Sequence, residues 1–385
     1  MADFSEKRTV RVTCPLGLSP FLETEIRDLG FTPSTLEDTG IELSASLNES
    51  IRLNYQLRTA HRVYSLVDEA VAKTPEELTE WLEGIAWEEW IPADGYVSVT
   101  SRVNHSKIEN TQFANLACKD AVVDRMRARN GHRPDSGPDL DKTVLFLYWT
   151  DEQARIFIDT SGESLSRRNY RTESTSAPMQ ETLAAAIIKS TSWNPGQHFI
   201  NPMAGGGTLA IEAALMAANR APASLRNNFG FMHVKGFDPE IYYSIRDEAK
   251  KGVLKEVEGD IIVSDISPKA VEASKKNAAT AGVDHLIRFE TCDVADTPVP
   301  DGPGVIVMNP PYGIRLEPGE DLRPLYKKMG DFLKQEGPGK TGYVFTGNSA
   351  LAKKVGLRSK SRTTFFNTTI ECRLLEYELY SGTKK

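Results

Sequence analysis

Cysteine and histidine are scarce in this chain, with four and six in 385 residues. Cys14, Cys118, Cys292 and Cys372 lie far apart and form neither a CxxC pair nor a Cys/His metal-ligand spacing. That argues against a disulfide framework and predicts free, mostly buried thiols in a reducing compartment. HExxH and GxSxG are both missing, so no metal is expected and nothing suggests covalent catalysis. Long apolar runs are missing too. None approaches the ~20 residues needed to cross a bilayer, and the opening MADFSEKRTV has no apolar core of the kind a secretion signal carries. A cytosolic location is the expectation. There is no internal repeat and no low-complexity tract, and the length suggests two or three domains.

Positive charge is also in deficit, with a net charge of −7, but the average hides its distribution. Residues 1–100 hold 8 Lys/Arg against 18 Asp/Glu, whereas 102–133 hold 7 against 3. A second basic cluster, Lys353, Lys354, Arg358, Lys360 and Arg362, runs without an acid, and a third is Arg167, Arg168 and Arg171. Any one of these reads as a solvated surface. Three in one acidic chain point towards a polyanion partner.

Apolar periodicity divides the chain. RTVRVTC, LSPFLETEIRDLG, FTPSTLE, GIELSAS and NESIRLNYQLRTA read as strand, helix, strand, strand and helix, the last with Asn48 at its N-cap. A second α+β unit is expected over about 60–160, with a long helix from Gln112 to Arg129 and paired strands TVLFLYW and ARIFID. The polar stretch 160–178 reads as a connection. Beyond it, helices alternate with short apolar strands, the signature of a parallel sheet covered by helices on both faces.

The chemistry is expected at the ends of those strands. After QHFI comes NPMAGGGT, whose glycines let backbone approach a ligand closely before a helix begins at LAIEAALMA. The turn is neither a strict GxGxxG nor a phosphate-binding GK[ST]. Asp265 ends DIIVSD, where an acid can accept hydrogen bonds from ribose hydroxyls. Its distance from the glycines implies that 219–258 is an insertion across the sheet edge; Asp238 is a weaker rival. Asp293 follows LIRFET at the next crevice position, where an adenine amino group can be bound; each acid also reads as a turn or N-cap residue. GVIVM then runs into NPPYGIR, where two prolines stiffen the turn and hold Asn309 and Tyr312 at the strand's carboxyl edge.

Together the glycine loop, the two acids and NPPY resemble a class I S-adenosylmethionine-dependent methyltransferase. More narrowly, SGESLSRRNYR, APMQETLAAAII, NPMAGGGTLAIEAALMAANRAP, NPPYGIRL and DLRPLYKKMGDFL resemble the bacterial 23S rRNA guanine-N2-methyltransferase family. VTCPLGLSPFLETEIRDLG, LRTAHRVY and NTQFANLACKDAVVDRMRARNG look like that family's ferredoxin-like segment and RNA-binding THUMP domain. The resemblance implies an α/β fold, a class I (Rossmann-like) methyltransferase sheet preceded by α+β ferredoxin-like and THUMP domains. The expected division is 1–59, 60–165 and 166–385, without the second C-terminal methyltransferase domain of some relatives. It implies S-adenosylmethionine as cofactor and RNA, foremost rRNA within or outside a ribosomal assembly intermediate, as partner.

By motif position, Asn309, Pro310, Pro311 and Tyr312 are the implied catalytic residues. Pro178, Met179, Gln180, Glu181, Asn201, Pro202, Ala204, Gly205, Gly207, Thr208, Asp265, Asp293 and Asn309 are the implied cofactor contacts. Arg167, Arg168, Arg171, Arg315, Lys353, Lys354 and Arg358 are the candidate RNA contacts. Asn110, Thr111 and Gln112 match the THUMP stretch, although an N-cap and helix start explain them equally. The chain departs from the family at Asn201, where Asp is usual, and at Ala204 and Gly206, where Cys and Ser are frequent. Competing readings are a tRNA guanine-N2-methyltransferase, an amino-methyltransferase acting on DNA adenine or protein glutamine, and a non-catalytic RNA-binding assembly factor.

Overall fold

Alternating apolar residues start the first sheet where RTVRVT predicts, in β1 (Arg8–Thr13), whose Val10 and Val12 are fully buried. The computed structural model describes residues 2–105, 111–173, 178–313 and 321–380. After β1 come α1 (Ser19–Asp28), β2 (Pro33–Glu37), β3 (Gly40–Ala45) and α2 (Leu47–Gln56). The N-cap of α2 is Ser46 rather than Asn48. Its hydroxyl accepts the Glu49 N–H, while the Glu49 carboxylate accepts the Ser46 N–H, a reciprocal box that Asn48 is two residues too late to form. The chain continues through β4 (Arg62–Val71), α3 (Pro75–Gly84), β5 (Tyr96–Asn104), α4 (Thr111–Asn130), β6 (Asp135–Ser136), β7 (Thr143–Thr150) and β8 (Gln153–Asp159).

These strands form one sheet in the order β2-β3-β1-β4-β8-β7-β5-β6. β4, expected to open a separate unit, pairs antiparallel with β1 on one side and β8 on the other. The two expected α+β units are therefore halves of one sheet. Its α3/α4 face is filled by Leu78, Leu82, Trp87, Trp149 and Ile156, and both indole N–H groups find backbone carbonyls, at Leu82 and Ala72.

The chain divides into two compact units, residues 1–14, 22–167 and 226–248 in the first and 15–21, 168–225 and 249–385 in the second. The first unit gives way to the second between 167 and 168, inside the stretch 160–178 read as a connection, and the start of that stretch is firmly held. Thr160 and Ser161 are fully buried, and the Arg226 guanidinium donates to the Ser161, Glu163 and Ser164 carbonyls. One expectation changes: 219–258 is not an insertion across the sheet edge, because 226–248 is built into the first unit. Phe229 and Phe231 are buried there, and Tyr242 packs edge-on against Tyr55.

The second unit contains α5 (Glu181–Lys189), β9 (His198–Pro202) and α6 (Thr208–Ala217). α7 (Pro239–Lys251) belongs mostly to the first unit. Then follow β10 (Ile261–Asp265), α8 (Pro268–Ala281), β11 (Ile287–Thr291), β12 (Gly304–Met308) and α9 (Arg323–Glu336). β13 (Thr341–Thr346), α10 (Ser349–Ala352), β14 (Ser361–Asn367) and β15 (Ile370–Glu378) complete it. α8 shows how closely local signals set the elements: Ser267 caps it, Pro268 opens it, and Gly282 ends it at φ 68°.

The strand order is β11-β10-β9-β12-β13-β15-β14, parallel from β9 to β13 and closed by an antiparallel hairpin. Val305, Ile306, Val307 and Met308 are all buried, so both faces of β12 are covered, as continuous apolar runs in parallel sheets require. On one face Ile306 and Met308 pack with Tyr326, Met329, Phe332 and Leu333 of α9. The order runs outward from β9 through β10 to β11, then returns to β12. That reversal opens a crevice at the carboxyl ends of β9 and β12. Among the described residues no helix is long and apolar enough to cross a membrane.

Candidate active site

The glycine loop leaves β9 through backbone that side chains resist. Met203, Gly205 and Gly207 have φ of 56°, 57° and 79°, and Gly207 is the N-cap of α6 with no side chain to satisfy its first turn. Ser274 and Asn277, on α8, hold the loop from behind: the Ser274 hydroxyl donates to the Gly205 carbonyl at 2.8 Å, and Asn277 Nδ2 donates to the Gly206 carbonyl at 3.1 Å. Asp265 closes the loop from β10, accepting the Gly205 N–H at 3.0 Å and the Ser267 N–H at 2.9 Å. Each carboxylate oxygen keeps a further acceptor direction, so ligand hydroxyls can still be received.

Asn201 joins this loop to the NPPY turn. It is 1% exposed, and its Nδ2 donates to the Val307 carbonyl of β12 at 2.8 Å. Its Oδ1 is buried without a hydrogen-bond partner. Asn309 repeats the pattern one strand over, with a buried Oδ1 that also lacks a partner. Leaving a carbonyl oxygen dry costs about 1–3 kcal/mol, which an arriving N–H donor recovers. The turn around Asn309 is fixed by long-range bonds. Tyr326 Oη donates to the Pro311 carbonyl at 3.2 Å and meets Thr346 Oγ1 at 2.8 Å, while Asn367 Nδ2 donates to Tyr312 Oη at 2.8 Å. Burial pushes the Tyr326 hydroxyl up to about 12, so it stays a donor at any working pH. Beside the turn, Gly313, Leu322 and Asn348 line a cleft of about 470 Å³.

The cofactor-side segment 178–181 is clamped. Arg171 donates to the Met179 carbonyl at 2.6 Å, reaches Thr208 Oγ1 at 3.4 Å and pairs with Glu181 at 3.1 Å. Burial raises the Glu181 carboxyl above its ordinary range, with Arg171 opposing the shift. Pro178 and Gln180 stay exposed. Asp293 is an N-cap, accepting the Ala295 N–H at 3.0 Å, and pairs with Lys328 at 2.8 Å; the backbone bond first and Lys328 second hold its carboxyl below the usual range. Asp238, the rival to Asp265, caps Glu240 within the first unit and lies off this sheet.

The basic clusters fare unevenly. Arg168 is 1% exposed and pairs with the buried Glu212, so it is not an RNA contact. Arg171 faces inward for the reason just given. Arg167 remains exposed, as do Lys353, Lys354 and Arg358. In the 102–133 cluster, Lys119, Arg125, Arg127 and Arg133 each pair with Asp120, Glu88 or Asp124, of which Glu88 alone lies outside the segment and offsets part of its excess. Arg315 and Asn110 lie outside the described residues. The residues that hold the site, Ser274, Asn277, Tyr326 and Asn367, went unread in the sequence because their partners are 15 to 71 positions away. Among the described residues no three His, Cys, Asp or Glu side chains gather into a metal-holding group.

The chain is similar to known proteins along nearly its whole length. Residues 168–376 match the model of the RMKL-like methyltransferase domain, 9–64 that of the RlmL ferredoxin-like domain, and 72–159 that of the THUMP domain. The chain is 37% identical over 378 residues to the ribosomal RNA large subunit methyltransferase K/L of Syntrophotalea carbinolica, covering 95% of this chain and 53% of that protein. It thus spans about half the length of the K/L relatives it matches, but 96% of the putative RNA methyltransferase slr0064 of Synechocystis, to which it is 30% identical. The solved structure of SMU.472 complexed with SAH has a TM-score of 0.89 at 27% identity, covering 98% of this chain and all of that one. A Listeria monocytogenes protein whose name calls it a predicted N6-adenine-specific DNA methylase has a TM-score of 0.87 at 30% identity, with 97% of each chain covered.

Proposed function

The chain belongs to the RMKL-like methyltransferase-domain family, and on that premise we propose that it transfers the methyl group of S-adenosylmethionine to the exocyclic N2 amine of a guanine in 23S ribosomal RNA. One observation carries this reading. Asn201 ties the glycine-loop strand to β12, so the glycine loop and a buried Asn309 carbonyl oxygen without a partner lie at adjacent strand ends, which supports a cofactor on one side and an amine on the other.

S-Adenosylmethionine, when bound, supplies a methyl group already activated on a sulfonium. A guanine amine is a weak nucleophile because its lone pair is delocalised into the ring, so the chain's task is orientation. Asn309 Oδ1 and the Pro310 carbonyl accept the two amine N–H bonds and hold the nitrogen in line. Prolines at 310 and 311 bring no competing N–H into the turn. Tyr312 stacks on the base, a contact worth about 1–3 kcal/mol, and the base reaches it flipped out or unpaired.

The residues present fit the cofactor. Asn201 Oδ1 is a neutral acceptor for the ammonium at its methionine end, where the usual Asp would add a charge. Pro202, Ala204, Gly205, Gly207 and Thr208 form the cradle, Asp265 receives the ribose hydroxyls, and Asp293 meets the adenine amine with the acceptor capacity left by Ala295 and Lys328. Pro178, Met179, Gln180 and Glu181 border the same crevice, held by Arg171. The division 1–59, 60–165 and 166–385 assigns RNA capture to the first two segments and chemistry to the third, apart from 226–248, which is built into the first unit. Exposed Arg167, Lys353, Lys354 and Arg358 add phosphate contacts in a cytoplasmic enzyme whose substrate is rRNA, free or in an assembling subunit.

The test is transfer of labelled methyl from S-adenosylmethionine to total RNA from a strain lacking the gene, followed by nucleoside separation. Label in N2-methylguanosine of 23S rRNA supports the reading. Label in N6-methyladenosine, in DNA alone or in tRNA alone contradicts it.

A further inference from the structure

Behind the NPPY turn lies a second cavity, of about 410 Å³, between the segment after α10 and the β14–β15 hairpin. Lys353, Arg358, Arg362 and Arg373 line it against a single carboxylate, Glu371, a local balance of +3 in a chain of net charge −7. Lys353 and Arg358 make no ion pair among the described residues, and Arg362 Nε donates to the Ser359 hydroxyl rather than to an acid. Only Arg373 is matched, with Glu371 at 3.1 Å. The buried side chains of Leu375 and Tyr377 form part of the wall, so the cations work beside low-dielectric surface that focuses their field.

The cavity adjoins the proposed base site. Gly347 lines it, and a Cβ at Gly347 would lie 3.3 Å from the Tyr312 ring. Asn367, at the tip of the same hairpin, donates to Tyr312 Oη. The element that orients the stacking ring therefore also presents the cations. A base stacked on Tyr312 has its own phosphodiester leaving towards whatever surface flanks that ring. Guanidinium forks are the side chains best suited to phosphate oxygens, and such contacts position a strand without reading its sequence.

We propose that this pocket binds the backbone phosphates of the RNA strand flanking the target nucleotide, an assignment that rests on the methyltransferase reading above. Arg362 and Arg373 then join Lys353 and Arg358 as RNA contacts, and Glu371 sets their spacing at a cost in affinity.

The experiment uses the full chain and an RNA fragment that the wild type methylates. Affinity for that RNA is measured by fluorescence anisotropy from 50 to 300 mM salt, together with KM for RNA, and cofactor affinity serves as the folding control. The expected result for Arg358→Ala/Arg362→Ala is at least tenfold weaker RNA binding, a proportionate rise in KM, and a log–log salt slope shallower by about 1.4, since each single-strand phosphate contact contributes about 0.7. Arg358→Lys/Arg362→Lys should keep the slope, and Glu371→Gln should tighten binding. A wild type that methylates RNA, with variants matching it in affinity and slope, overturns the pocket alone. A wild type that binds S-adenosylmethionine yet methylates no RNA overturns the reading and the pocket together.

Discussion

Replacing Gly207 by alanine tests the glycine loop through two separable penalties. The first is conformational: φ is 79° in the wild type, and a residue with a Cβ loses about 1–2 kcal/mol in the left-handed region. The second is steric. The new Cβ would lie 2.9 Å from Ser274 Oγ and 3.0 Å from Ser274 Cβ, inside van der Waals contact with a residue fixed in α8. Either the loop retreats or the Ser274 hydroxyl gives up its 2.8 Å bond to the Gly205 carbonyl, a loss of about 1 kcal/mol. The sum is about 2–3 kcal/mol. For a unit of roughly 200 residues that corresponds to a fall in melting temperature of about 4–12 °C. Gly206, which has no positive φ, is the control, and its alanine variant should melt close to the wild type. Calorimetric melts give the stability, and titration calorimetry gives affinity for S-adenosylhomocysteine, which should fall at least tenfold in Gly207→Ala. A Gly207→Ala protein that melts within 2 °C of the wild type and binds the cofactor product equally well would refute the reasoning.

Two further perturbations probe the site's supports. Arg171→Ala removes the cation opposite Glu181, whose folded carboxyl is already raised by burial, and raises it further; the loss should be about 3 kcal/mol at pH 7.5. A carboxyl raised on folding favours the folded state below its unfolded pKa and penalises it as pH rises through the folded value. The deficit should therefore shrink on acidifying from pH 7.5 to 5 in urea titrations, and Glu181→Gln in the same background should abolish that pH dependence; a deficit growing towards acid would contradict the argument. Among the thiols, burial pushes Cys14 and Cys118 up to about 12, while the less buried Cys292 is raised less. Mass spectrometry after brief alkylation at pH 8 should find Cys292 labelled first, and equal labelling of Cys118 would show that the first unit's core opens freely.

How far the sequence could be read depended on the range of the interactions. The parallel strands, the glycine turn, Asp265 and the NPPY turn were legible because each is a local device: an apolar run, a backbone needing positive φ, or an acid at a strand end. β4 was misplaced because its partners are β1 and β8, and nothing inside RVYSLVDEAV announces which strands it will join. The arginines were misread for a related reason. Arg168 meets Glu212, and Arg171 meets Glu181 and the Met179 carbonyl, so a basic triplet in the sequence becomes one exposed side chain and two structural ones. The 102–133 excess is reduced similarly, since Glu88, outside the counted window, pairs with Arg125. Asn201 shows the opposite case. In the sequence it was only a departure from the usual Asp, yet its amide supplies the Val307 bond that an ionised Asp could not donate.

The central claim is that Asn309 orients the acceptor amine and does little else. The most direct measurement is formation of N2-methylguanosine in 23S rRNA by the wild type and Asn309→Ala under single-turnover conditions, alongside cofactor affinity for both. The account predicts cofactor affinity within about threefold of the wild type and a rate lower by about 10²–10³, the scale seen when one positioned hydrogen-bonding group is removed from a reacting centre. A variant that keeps the wild-type rate, or one whose lost activity is matched by lost cofactor binding, would contradict it.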